Sequence, residues 1–257
     1  MSRSPRFLFG FGVALVWPWL AACDDSPPPK NPFDPSPSAT KTPPPATAAP
    51  KPTTAPLLSI DDMGVKIGYS QVLLDKPEGR DKLDTELQEH KSHFEGKETS
   101  LAVVRKAKLN HVVTMVTALE KIGVTKVTIK TETRKEYPAE LPFTPQAKAK
   151  DLEPCTVVAM VLDDRGTAVW KISGGTASKR AKGFAGPDLT MTGDTIERFA
   201  KACKTSTTFM VSAAEGIEWG LAYDLAASTK KIENVSFDRY VLLKETPIAG
   251  RKVDLDG

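Results

Sequence analysis

Residues 100–131 read SLAVVRKAKLNHVVTMVTALEKIGVTKVTIKT. The apolar run from Leu101 to Val104 has the length of a strand. Asn110 is placed to cap a helix, and Val112, Met115, Val116 and Leu119 follow at the i, i+3, i+4, i+7 spacing of one helical face. Gly123 ends that helix, because a residue tolerant of positive φ suits the position just past the last turn. Val127 and Ile129 then alternate with Lys126, Thr128 and Lys130, the period of a half-buried strand. A strand, a helix and a second strand joined this way predict a right-handed crossover with the two strands parallel.

Upstream, residues 57–60 read as a strand and Asp61-Asp62-Met63-Gly64 as a turn. Val65, Ile67 and Tyr69 alternate with Lys66 and Gly68, which completes a hairpin. Residues 72–74 extend it before Pro77. A helix over residues 81–94 places Leu83, Leu87, His90 and Phe94 on one stripe. The order β-β-α-β-α-β predicts an α+β fold, a two-layer sandwich.

The same order restarts after a polar stretch, residues 132–154, whose prolines read as a linker. Residues 156–162 form a strand, Asp163-Asp164-Arg165-Gly166 a turn that echoes the first one, and residues 167–172 a second strand. A Gly-rich insertion, residues 173–193, separates them from a helix with Asp194 as its cap. Ile196, Phe199, Ala200 and Cys203 give that helix its apolar face. Residues 207–211, a helix around Trp219, Leu221, Ala222, Leu225 and Ala226, and residues 235–243 complete the set. The expectation is an internally duplicated chain with domains at 57–131 and 155–245 and a tail at 246–257.

The N-terminus differs in kind. Arg3 and Arg6 precede an apolar run over residues 7–20, followed by Leu20-Ala21-Ala22-Cys23, so residues 1–22 read as a secretory signal. Cys23 directly after Leu-Ala-Ala resembles the lipobox of bacterial lipoproteins, which implies lipidation of Cys23 and cleavage before it. The alternative is an uncleaved membrane helix, for which the run is shorter than the roughly 20 residues needed. Residues 26–56 hold 12 of the chain's 21 prolines. Such a stretch cannot bury a core, so residues 23–56 read as an extended tether.

The pattern over residues 57–131 resembles the periplasmic domain of the ExbD/TolR family: an apolar strand, a VV-x-MV-x-AL helix, a Gly-Val turn and a final K-V-T-I-K-T strand. Those proteins are small subunits of proton-driven biopolymer-transport complexes in bacterial envelopes. The resemblance implies a lipid-anchored, periplasm-facing component whose partner is a motor-type membrane protein. The TolR side of the family implies peptidoglycan as the alternative partner, with a structural role. The family carries its proton on an acid within a membrane helix, where ionisable groups are costly and functional. Residues 7–20 hold no acid, so the expectation is a component that does not conduct protons. The family's domains dimerise, and here the two copies either pair within one chain or form a homodimer. Where members often carry Ala-Asp after the third strand, this chain has Arg105-Lys106-Ala107-Lys108.

Arg105, Lys106, Lys108 and His111 read either as a basic partner-binding patch or as a solvated loop. The insertion reads as a further candidate contact with a partner. Cys155 and Cys203 read either as a disulfide or as two buried thiols. A net charge of +3 is too mild to imply nucleic acid. His90 and His93 lack an accompanying acid or Cys cluster, and both Asp-Asp pairs sit in turns, where Asp bonds local backbone. No nucleophile motif is present. The sequence therefore predicts no enzyme, no cofactor and no metal.

Overall fold

A computed structural model of the chain describes residues 54–149, 152–184, 186–203 and 208–255. The expected signal segment, Cys23 and the tether up to residue 53 lie outside the described residues. In the first half, β1 (Leu58–Ile60), β2 (Val65–Ile67) and β3 (Ser70–Val72) form a meander. Helix α1 (Gly79–Glu89) and the short α2 (Lys91–Phe94) lead to β4 (Glu98–Val103), and α3 (Leu109–Lys121) leads to β5 (Lys126–Lys130). As expected, β4 and β5 are parallel, and Gly123 sits past α3 with φ of 93°. The single helix expected over 81–94 is instead broken at His90, where φ is −100° and ψ is 6°.

The second half runs β7 (Val157–Val161), β8 (Thr167–Lys171), β9 (Ser178–Arg180), α4 (Leu189–Ala200), β12 (Thr208–Ala213), α5 (Trp219–Ser228) and β13 (Arg239–Leu242). A two-residue hairpin, β10 (Lys182–Gly183) and β11 (Gly186–Pro187), stands between β9 and α4. The expected insertion thus supplies a sheet strand, a hairpin and the first turn of α4. Asp194 lies inside α4 rather than at its start. The cap is Asp188, whose carboxylate accepts a hydrogen bond from the Met191 amide at 3.1 Å.

The strand order is β3-β2-β1-β4-β5 in the first half and β9-β8-β7-β12-β13 in the second, with the same sequence of antiparallel and parallel pairings. The halves are not separate domains. Residues 132–154, read as a linker, contain β6 (Glu140–Thr144), which pairs antiparallel with β5 and parallel with β13. It joins both halves into one 11-stranded mixed sheet. Pro142 is tolerated in this central strand because the ladder to β13 begins only at Phe143. The Phe143 ring is fully buried and meets Trp219 and Tyr240, with centroids 5.8 and 6.0 Å away.

The helices form one layer, since α1 touches α3, α3 touches α5, and α5 touches α4. The opposite face of the sheet differs between halves. In the first half, alternate residues such as Ser100 and Ala102 are exposed. In the second, β7 and β12 are buried along their whole length. Thr167 meets Thr192 of α4, so Trp170 points to the other face. There its indole donates to the Arg251 carbonyl at 2.9 Å, and the Val253 amide donates to Ile172 O at 3.0 Å. Residues 246–255, expected as a tail, are the second half's cover.

Cys155, just before β7, and Cys203, just after α4, form a disulfide with Cα atoms 5.5 Å apart and a sequence separation of 48. Closing a loop of that length restricts the unfolded chain by about 4 kcal/mol in the chain-entropy model. Urea unfolding with and without reductant should show a loss approaching that amount, and intact mass after thiol alkylation should show the two cysteines protected until reduction.

Candidate functional site

Two places gather functional groups. The first is the seam above β6, where the loop after β4 meets the loop after β12. These loops are built alike. The Val104 amide donates to Ile60 O and the Ala214 amide to Val161 O; Ala107 donates to Val104 O and Ile217 to Ala214 O. Residues 103–109 therefore correspond to 213–219. They also pair with each other: Leu109 donates to Ile217 O at 3.4 Å, Trp219 donates to Ala107 O at 2.9 Å, and Lys108 bridges Glu218. Corresponding residues meet corresponding residues, the signature of an isologous contact.

Arg105 breaks this symmetry. Its guanidinium forks onto Asp224 of α5, with nitrogen–oxygen distances of 2.9 and 2.7 Å, and also donates to the carbonyls of Glu132 and Gly220. Asp224 is 2 % exposed, so its charge depends on cationic partners, Arg105 in direct contact and Arg134 at 3.8 Å. Gly220 permits the approach, because a Cβ there would stand 3.0 Å from Arg105 Cβ. Lys108 pairs with Asp75 at 2.7 Å, and the buried His111 places Nε2 3.1 Å from the same carboxylate. Only Lys106 of the four expected patch residues is exposed without a partner of this kind. Three of the four expected patch residues are thus paired within the chain, Arg105 with Asp224 and Lys108 and His111 with Asp75, of which the Lys108–Asp75 pair lies at the surface. Helix α3 also begins two residues earlier than a cap at Asn110 requires, with Lys108 in the cap position, because residues 107–109 are held by the seam.

The second place is a groove of about 580 Å³. Its walls are the β10–β11 hairpin, the first turns of α4 and the loop after β5. Phe184, at the hairpin tip, is fully exposed. Gly186, with φ of 125°, lets the hairpin lie close to Leu221 of α5. Across the groove, Lys231 Nζ sits 5.1 Å from the centre of the Tyr137 ring, and the Tyr223 hydroxyl fixes that loop by donating to Pro138 O at 3.1 Å. Glu197 accepts from Lys201 and Asn234, at 2.6 and 2.8 Å, and Lys201 holds its carboxyl below the usual range. Sequence reading placed Phe184 in a partner-contact segment but missed Tyr137 and Arg134, which lay in the expected linker.

The acids of both Asp-containing turns bond local backbone. Asp61 accepts from the Met63 and Gly64 amides and pairs with Lys66 at 2.6 Å. Partial burial pushes its pKa up, but Lys66 and the two amides outweigh that and leave it lowered. Asp164 accepts from the Gly166 amide at 2.8 Å. Both are turn residues, as expected. His90 and His93 lie with ring centroids 6.2 Å apart and gather no acid. The one cluster of three ligand-type atoms among the described residues is Glu153, Cys155 and Cys203, and its sulfurs are joined to each other. No family model matches this chain, and no curated protein or solved structure matches it either.

Two outcomes follow from the seam. Arg105→Ala should cost about 3 kcal/mol in urea unfolding, because it removes the fork and leaves the buried Asp224 carboxylate with Arg134 alone, 3.8 Å away. Arg105→Lys should fall between, keeping the charge and losing the fork. The seam tyrosines set an alkaline limit. Burial pushes Tyr240 up to about 12, against the Thr229 hydroxyl, and it raises Tyr223 further. An unfolded tyrosine loses its proton near pH 10, before the folded one does, so stability is intact below about pH 10 and falls as pH rises toward 12. The urea midpoint should hold up to about pH 10 and drop between about pH 10 and about pH 12.

Proposed function

We propose that this chain is a lipid-anchored envelope protein that binds partners in a proton-driven biopolymer-transport assembly and does not itself conduct protons. The single observation that carries the reading is the isologous seam. Two β-β-β-α-β-α-β halves meet through corresponding residues, which makes the folded part a one-chain counterpart of the dimers formed by ExbD/TolR-like domains. An internal duplication accounts for the matching strand orders. The resemblance over residues 57–131 and the lipobox at Cys23 support the same reading from sequence. Lipidation at Cys23 places the folded part facing the periplasm, with the Pro-rich tether between it and the membrane.

The reading is tested by affinity purification from detergent-solubilised envelope through a tag at the C-terminus. A polytopic motor-type subunit is the expected companion. Recovery of cell-wall material alone would overturn the transport role and favour a structural lipoprotein that binds peptidoglycan. In sedimentation the soluble part should remain a monomer over the whole concentration range, since its dimer-like contact is already made within the chain. A strict dimer at low concentration would refute that assignment.

A further inference from the structure

We infer that the groove beside the β10–β11 hairpin receives an extended, lysine- or arginine-bearing segment of a partner protein, with one of that segment's apolar side chains laid on Phe184. This deepens the partner-binding reading by naming the chemistry of the bound segment, and it does not depend on which protein supplies it.

Charge decides the sign of the partner. Glu136, Asp194 and Glu233 line the groove, and among the described residues none has a cation within ion-pair distance. Two cations, Arg134 and Lys231, share the lining with five carboxylates, Glu136, Asp188, Asp194, Glu197 and Glu233, which leaves its net charge negative. Arg134 reaches toward Asp224 at 3.8 Å, and Lys231 lies over the Tyr137 ring. The field in the groove is therefore negative, which draws cationic groups and repels nucleic acid or an anionic lipid surface.

Shape and apolar surface decide its form. The groove falls within the roughly 300–1000 Å³ of ordinary ligand sites. It is an open trough rather than a closed cavity, which suits a strand of peptide. Phe184 is fully exposed at the tip of a hairpin, while Tyr137 and Ile232 stand half-buried on the other wall. An exposed aromatic beside unpaired carboxylates matches a segment that alternates apolar and basic residues.

The test uses the soluble full folded chain and a short fluorescein-labelled peptide of alternating Lys and Phe, with a Glu and Phe peptide as its counterpart. Anisotropy should show saturable binding of the basic peptide only, weakening as salt is raised. Phe184→Ser should weaken it about tenfold, the scale of one lost aromatic contact. The double reversal Asp194→Lys with Glu233→Lys should weaken it further and flatten the salt dependence. Tyr69→Ser removes another fully exposed aromatic, at the β2–β3 turn, and should change nothing. All these side chains are exposed, so circular dichroism should show every variant folded. Binding of both peptides alike, no binding by either, or insensitivity to the charge reversal would overturn the proposal. A motor subunit lost in purification with peptide binding intact would count against the transport role alone.

Discussion

A half-sheet of five strands ends in an edge, and an edge is a row of unpaired amides and carbonyls. Each half of this protein has such an edge on its inner side, β5 in one and β13 in the other. Strand β6 satisfies both at once, antiparallel to the first and parallel to the second. That constraint makes the two halves one body. It also puts fully buried aromatic contacts at the junction, where Phe143 of the shared strand meets Trp219 and Tyr240 of the second half.

The strand alone does not fix how the halves face each other. The paired loops do, and they do it with backbone, so the contact survives differences in side chains between the halves. Arg105 adds direction. The residue that corresponds to it in the second half is Glu215, and the residue corresponding to Asp224 is Thr114. The fork to Asp224 can therefore form on one side of the seam only. A two-fold arrangement of backbone thus carries a one-sided arrangement of charge. The same division separates the outer surfaces. The first half leaves its sheet face open and polar, while the second covers its own with residues 246–255 and carries the hairpin and groove.

Local signals were legible wherever local physics decides. Helix α3, its stop at Gly123, the alternation in β5 and the two Asp-containing turns all follow from spacing and turn chemistry, and each is found. The repeated order of elements was legible for the same reason. What was not legible depended on distant partners. Pro138, Pro142 and Pro145 argue for a linker, and only the offset start of the β13 ladder makes a strand of β6. Arg105, Lys108 and His111 look like a free cationic cluster until Asp75 and Asp224 arrive from 36 and 119 residues away. Asn110 is a good cap by type, yet the seam holds residues 107–109 and starts the helix before it. The groove was legible only in part. A lone Phe184 among glycines marks a surface aromatic, but nothing local places Tyr137 opposite it.

The position of β1 has a mechanical consequence. This is the first strand among the described residues, and it lies inside the sheet, antiparallel to β2 on one side and parallel to β4 on the other. Tension applied through the preceding residues runs along the strand axis. It loads the hydrogen bonds on both flanks in shear, together, instead of peeling them one after another. A protein held at that end and engaged at the hairpin of its second half would carry load through the whole width of one continuous sheet.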